Sequence, residues 1–296
     1  MKQTSPGARL NSLLSKDEPL VCPGAMNALF ARLIERAGFS SVYMTGAGVS
    51  NGLLGQPDVG LTTLTEMTQM AQNISTAVEI PVFADADTGF GGAVNIERTV
   101  QLYERAGVAA IQLEDQVVPK RCGHFEGKEV VSISEMRARI RTALAARNDP
   151  SLMIVARTDA RSILGLDEAI KRGLAYADSG ADALFIEAPI SDAELERIGT
   201  ELAVTGLPLI ANMVEGGKTP LHSAKELGEL GFKLVIFPGL LSRVAVYAAT
   251  KALTVLAENG DSRPLLDELM QFSDMQRILK LDELTARIAT YEEVDS

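Results

Sequence analysis

The 296-residue chain has no tryptophan, only two cysteines and only two histidines. Two thiols, Cys22 and Cys122, cannot build a disulfide framework, which points to a reducing cytoplasm. Cys122 and His124 lack the clustered companions that a zinc or haem site requires. No run of 18 apolar residues occurs, and the opening MKQTSPGARL offers no apolar stretch for a signal peptide. The expectation is a soluble, cytoplasmic protein with no membrane partner. Positive charge is scarce too: 28 Lys and Arg face 39 Asp and Glu, for a formal net charge of −11. Such a balance repels polyphosphate at long range and argues against nucleic acid, so an anionic substrate needs its own local arginines. Hydrophobic residues at 46% are enough for a large core and give no sign of disorder.

What is present is a repeated unit. A helical stretch stops at a glycine and an apolar run follows at once: AGFSSVYMTG from Ala37, AGVAAIQLED from Ala106, SGADALFIEA from Ser179 and LGFKLVIFPG from Leu230. The glycine suits the left-handed residue just past a helix C-terminus, and the apolar runs suit strands covered on both faces. VCPGA (21–25), PVFADAD (81–87), LMIVARTD (152–159) and PLIANM (208–213) complete a set of eight. Eight βα units predict an α/β fold of the (β/α)8 TIM-barrel type over residues 1–257, with a doubly wound open sheet as the alternative. Residues 258–296 read as a C-terminal helical extension, able to pack on its own barrel or to reach a neighbouring subunit.

A barrel places chemistry at the C-terminal ends of its strands. Polar residues gather there: Thr45-Gly46, Asp85-Ala-Asp87, Glu114-Asp115, Arg157-Thr-Asp159, Glu187 and Asn212. Any single Asp or Asn could merely cap the next helix. A cation such as Arg157 and a long acid such as Glu187 serve no cap, and a polar cavity explains the ring better. In DADTGFGG (85–92), strand alternation would turn Asp85 and Asp87 the same way, and two facing carboxylates call for a divalent cation. All-oxygen surroundings favour Mg²⁺, with Mn²⁺ as a substitute, and Asp58 and Glu114 could complete the shell through water. The segment lacks the spacing of a calcium EF-hand loop and of a G-x-G-x-x-G fingerprint. Cys122, set among Lys120, Arg121 and His124, has the surroundings of a thiol used in proton transfer; an incidental surface cysteine is the plainer alternative.

DADTGFG, EDQ followed by PKRCGH, VARTDA, IEAP and ANMVEGGKTP, in this order, resemble the isocitrate lyase and phosphoenolpyruvate mutase superfamily over about residues 5 to 290. The resemblance implies a barrel with Mg²⁺ at the strand ends, a loop carrying a catalytic cysteine, and a homotetramer that exchanges a C-terminal helix. It implies metal-associated roles for Asp85, Asp87, Asp58 and Glu114, and catalytic roles for Cys122, Lys120, His124, Arg157 and Glu187. Thr45, Gly46, Ala47, Gly123, Asn212 and Arg243 would contact a small carboxylate substrate. The loop favours the carbon–carbon lyase branch, which holds 2-methylisocitrate lyases and the 2,3-dimethylmalate (petal-death-type) lyases and releases pyruvate from a 2-hydroxy di- or tricarboxylate. NMVEGGKTP is more similar to the alkylmalate enzymes, whereas Arg243 matches the methylisocitrate enzymes. Oxaloacetate hydrolysis or decarboxylation, carboxyphosphonoenolpyruvate phosphonomutase chemistry and a non-catalytic binding barrel remain as alternatives.

Overall fold

The computed structural model describes residues 4–123 and 127–292, with the side chain of Glu292 left aside. Two compact units divide the chain, 1–240 and 241–296. The first holds eight parallel strands, β1 (Leu20–Ala25), β2 (Val42–Met44), β3 (Val82–Asp85), β4 (Ala110–Glu114), β5 (Met153–Thr158), β6 (Ala183–Ile186), β7 (Leu209–Asn212) and β8 (Phe232–Phe237). They pair in sequence order and β8 returns to β1, so the sheet closes. The predicted (β/α)8 barrel is thus the observed fold, and the open-sheet alternative falls.

Helices follow the order α1 (Pro6–Leu14), α2 (Ala28–Arg36), α3 (Gly46–Leu54), α4 (Leu64–Ala77), α5 (Ala93–Arg105), α6 (Ile133–Ala146), α7 (Arg161–Leu164), α8 (Leu166–Ala177), α9 (Asp192–Leu202), α10 (Ala224–Glu229) and α11 (Leu240–Asn259). Local chemistry sets their ends. Thr63 and Glu66 form a reciprocal capping box on α4, and Ser223 and Glu226 repeat it on α10. The glycines of the four repeats, Gly38, Gly107, Gly180 and Gly231, all take φ between 85° and 96°, a region that residues with a Cβ avoid. α1 plugs the strand-start end of the barrel: Leu10 and Leu14 pack with Phe83, Ala110, Met153 and Leu234. That end is apolar and shut, which leaves the opposite rim for chemistry.

The second unit contains most of α11, then α12 (Phe272–Ile278) and α13 (Leu281–Glu292). α11 is long and apolar enough by composition to cross a membrane, although Arg243 and Lys251 interrupt it.

One buried brace fixes the rim where β4 and β5 end. Asp115, fully buried, accepts hydrogen bonds from Thr158 Oγ1 (2.6 Å), Tyr176 Oη (2.7 Å), Arg172 Nη1 (2.9 Å) and the Asp159 amide (2.9 Å). Its own carbonyl accepts from the Val131 amide at 2.8 Å, and Arg172 also donates to the Val131 carbonyl at 2.8 Å. The carboxylate therefore joins the ends of β4 and β5 to α8, and the Asp115 carbonyl and Arg172 add the returning stem of the loop after β4. Removing it would leave Arg172 with Glu168 alone, at 3.3 Å, and the buried hydroxyls of Thr158 and Tyr176 without this acceptor, so Asp115→Ala should lower the unfolding free energy by about 3–5 kcal/mol. Urea unfolding followed by circular dichroism measures this; a wild-type midpoint would show that the brace carries no load.

Candidate active site

Strand register brings the site together. In the β3–β4 pairing Asp85 lies beside Gln112, in β4–β5 Glu114 lies beside Arg157, and in β5–β6 Arg157 lies beside Phe185. Each neighbour makes a contact: Gln112 Nε2 donates to Asp85 Oδ1 (3.4 Å), Arg157 Nη1 is 3.3 Å from Glu114 Oε2, and the guanidinium stacks 5.3 Å from the Phe185 ring centroid. Tyr43, also buried, donates to Gln112 Oε1 at 3.4 Å. β3 ends at Asp85, and Asp87 sits in a turn with φ 48°, so alternation along a strand is not what aligns the two acids. A hydrogen bond does that instead, from the Asp87 amide to Asp85 Oδ1 at 3.0 Å. Tyr103 Oη holds the Asp85 carbonyl at 2.9 Å.

Lys120 enters from the loop after β4 and lies between acids. Its Nζ is 2.5 Å from Asp58 Oδ1 and 2.7 Å from Asp87 Oδ1, with all three residues buried. Burial opposes its charge, yet Asp87, Glu114, Asp58 and Asp85 outweigh that and hold the ammonium well above its ordinary pKa. Burial pushes Asp87 up to about 6, against the pull of Lys120, and pushes Glu114 well above the carboxylate range, against the pull of Arg157.

Arg157 forms the second charge centre. Asp159 grips its Nε and Nη2 at 3.0 and 3.2 Å, and Glu187 Oε2 lies 3.7 Å from Nη2. Burial disfavours the guanidinium charge, but Asp159, Glu114 and Glu187 hold it firmly protonated. Asn212 Nδ2 donates to both Glu187 oxygens at 3.2–3.3 Å and links β7 to this cluster.

Thr45, Gly46 and Ala47 form the start of α3. Thr45 Oγ1 is the N-cap and accepts from the Gly48 amide at 3.3 Å, so its hydroxyl is engaged locally. Gly46 and Ala47 are first-turn residues whose amides have no intrahelical acceptor, an arrangement that receives anions. A Cβ on Gly46 would lie 2.6 Å from Asp85 Oδ2, which shows how tightly that carboxylate leans on the helix end.

The loop is anchored on both sides. Gln116 clamps the Arg121 backbone, accepting from its amide at 2.9 Å and donating to its carbonyl at 2.8 Å. Val117 N–H donates to the Glu129 carbonyl at 2.9 Å, and the Cys122 amide donates to the Asp58 carbonyl at 3.0 Å. Gly123 sits against the Arg157 cluster: a Cβ there would be 2.6 Å from Arg157 Nη2 and 2.7 Å from Glu187 Cγ. Cys122 is half-buried at this rim, whereas Cys22 is wholly buried in β1, where desolvation pushes its thiol up to about 12. His124 lies outside the described residues. Arg243 lies in the first turn of α11, in the second unit.

The donor set suits a divalent cation. Six carboxylates (Asp58, Asp85, Asp87, Glu114, Asp159, Glu187) face three cations (Lys120, Arg157, Lys128), and Glu114 Oε1 is buried without a hydrogen-bond partner among the described residues. Among those residues no three Asp, Glu, His or Cys side chains form a ready-made ligand cluster. That is compatible with Mg²⁺, which keeps much of its water and takes one or two carboxylates directly.

The sequence does not single out Gln112, Lys128 or the grip of Asp159 on Arg157, and it shows Tyr43 only as one of the polar residues ending β2. For Gln112 a signal existed, since it stands two residues before Glu114 and so shares its strand face. Lys128 had none.

The sequence model of the phosphoenolpyruvate phosphomutase family matches residues 10–257. The chain is similar to the 2,3-dimethylmalate lyase of Eubacterium barkeri, at 48% identity over 94% of this chain and 95% of that one. Its identity to the 2-methylisocitrate lyase of Aeropyrum pernix is 44%, over 89% and 84% of the two chains. The solved structure of an oxaloacetate acetylhydrolase with the inhibitor 3,3-difluorooxalacetate superposes with a TM-score of 0.92 at 36% identity, covering 97% of each chain.

Gly46 offers a direct test of the geometry. Alanine is favoured over glycine in a helix by about 1 kcal/mol, so an unstrained site would gain stability. The contact with Asp85 reverses that sign, and Gly46→Ala should lose about 1–3 kcal/mol, as overpacked sites do. A raised urea midpoint would show that Asp85 is not wedged against α3.

Proposed function

The chain belongs to the phosphoenolpyruvate mutase and isocitrate lyase family, and from that premise we propose that it is a Mg²⁺-dependent carbon–carbon lyase acting on a 2-hydroxy di- or tricarboxylate of the 2,3-dimethylmalate or 2-methylisocitrate type. The observation that supports the reading is the anchored loop: Lys120 pairs with Asp58 and Asp87, the Cys122 amide is tied to the Asp58 carbonyl, and the next residue, Gly123, packs on Arg157 and Glu187. A mutase that only moves a phosphoryl group has no need of a thiol in that place.

Asp85 and Asp87 would hold the metal, with Asp58 and Glu114 in support through water. When bound, Mg²⁺ supplies positive charge to the substrate carboxylate and the neighbouring oxygen. The chain's own residues do the rest. First-turn amides of Gly46 and Ala47 receive the oxygens of the forming pyruvate. Arg157, kept charged by its acids, faces the far carboxylate, and Asn212 fixes Glu187 in the wall. A base takes the 2-hydroxyl proton, the bond between the hydroxyl-bearing carbon and its neighbour breaks, and the electron pair stays on the neighbour. Cys122 gives its proton to that carbon and remains as thiolate; pyruvate and a shorter carboxylate result. Lys120 and Gly123 belong to the loop that would cover the reacting atoms and exclude water.

The same proposal extends to a homotetramer in a reducing cytoplasm. Supporting it, the second unit exposes large apolar side chains, among them Val246, Tyr247, Leu253, Phe272 and Tyr291, that an assembly would cover.

The likeness to oxaloacetate acetylhydrolase supports one rival, hydrolysis of oxaloacetate to oxalate and acetate. A coupled pyruvate assay over substituted malates, 2-methylisocitrate and oxaloacetate separates the two. Pyruvate should be released from an alkylmalate or from methylisocitrate, should stop with EDTA, and should fall about 10²–10⁴-fold in kcat in Cys122→Ser, the usual reach of general acid catalysis. Oxalate from oxaloacetate, with no pyruvate from any substrate, would assign the rival; near-normal kcat in the serine variant would remove the proton-transfer role.

A further inference from the structure

Lys128 is a buried cation of the rim that the proposed mechanism does not use. Lys128 stands five residues after Gly123, and its side chain is only 1% exposed. Its Nζ lies 2.8 Å from Asp159 Oδ1 and donates to the Gly123 carbonyl. An ammonium removed from water is retained only where it makes specific bonds, and an apolar side chain of equal length would fill the same space more cheaply. Both partners are informative.

Gly123 follows the half-buried thiol of Cys122 directly and packs on Arg157 and Glu187. Asp159 grips Arg157 through two nitrogens, and its amide is fixed by Asp115 Oδ1 at 2.9 Å. Arg157 and Lys128 together outweigh the desolvation of Asp159 and hold its carboxyl below the usual range. One ammonium thus joins the backbone beside the thiol to the carboxylate that orients the guanidinium. Other ties, from Lys120 to Asp58 and Asp87, from Gln116 to Arg121, from Val117 to Glu129 and from Cys122 to Asp58, secure the stem and the near side of the loop. Among the described residues, it is Lys128 that secures the Gly123 carbonyl by a side chain.

We propose that Lys128 is a positioning residue: its paired contacts with Gly123 and Asp159 set the place of the Cys122 thiol and the orientation of Arg157 as one unit. Its consequence for turnover rests on the lyase reading, so the test includes a measurement that needs no substrate. Lys128→Met removes the charge at nearly constant length, and Asp159 keeps its bonds to Arg157, so the fold should survive. Lys128→Gln is read in its place if the urea midpoint of the methionine variant falls out of the wild-type range, and Lys128→Arg tests rescue.

Hydrogen exchange by mass spectrometry follows the Cys122 amide in peptides covering residues 115–123 of the full chain. It should exchange at least about tenfold faster in Lys128→Met and return toward wild type in Lys128→Arg. With substrate, kcat should fall about 10²-fold, as for a slightly misplaced catalytic group, while KM stays within about threefold. A role in folding alone would not split the two constants in that way. Unchanged exchange in the charge-removing variants would overturn the proposal, and so would faster exchange with unchanged kcat. If wild type itself turns over nothing on the panel, the lyase reading fails, and the exchange comparison still decides the role of Lys128.

Discussion

The ammonium of Lys120 between the carboxylates of Asp58 and Asp87 is the contact on which the rim depends. Three charged groups have left water there, and each is tolerable only because of the others. Asp58 also receives the Cys122 amide, so the partner that neutralises the acids arrives on the same stretch of chain as the thiol. Charge balance and placement of the reactive group are one event. A loop without a cation would have no reason to settle on this rim, and a rim without its acids would not hold the loop.

A second balance lies across the barrel mouth. Arg157 is shared by Glu114, Asp159 and Glu187, and Asp159 in turn takes Lys128. The carboxylates still outnumber the cations. Part of the excess appears as the raised pKa values of Asp87 and Glu114, where burial favours the proton over the charge. A divalent ion bound with its waters relieves the same excess without a proton, which is the physical ground for expecting Mg²⁺ here rather than a metal held by thiolates or imidazoles. Behind both centres stands Asp115, whose carboxylate takes four bonds from the end of β5 and from α8 and whose carbonyl holds Val131, so that Asp159 and the loop stem are fixed at once.

Much of this was legible in the sequence. The glycine that stops the helix in four of the eight units is required by a backbone angle, and the apolar runs of all eight by burial on both faces, so the strands could be read from local chemistry alone. The rim acids could be read because barrel topology dictates where strand ends meet. Other features arise from juxtaposition across strands and loops, which linear spacing does not encode. Asp115 looked like one more rim acid and is a structural brace; Asp87 reaches its neighbour through a left-handed turn; Lys128 was one lysine among many until the fold buried it beside Asp159. The plug formed by Leu10 and Leu14 is of the same kind, since nothing in α1 announces which end of the barrel it will close.

The stability of this rim depends on the charge that Lys120 brings to Asp58 and Asp87. Equilibrium urea unfolding of Lys120→Met in chelator, beside the wild-type protein, reads this directly. Loss of the ammonium should leave the buried acids uncompensated and lower the unfolding free energy by about 3–5 kcal/mol. A variant as stable as wild type under those conditions would contradict the claim that Lys120 balances the charge of this rim.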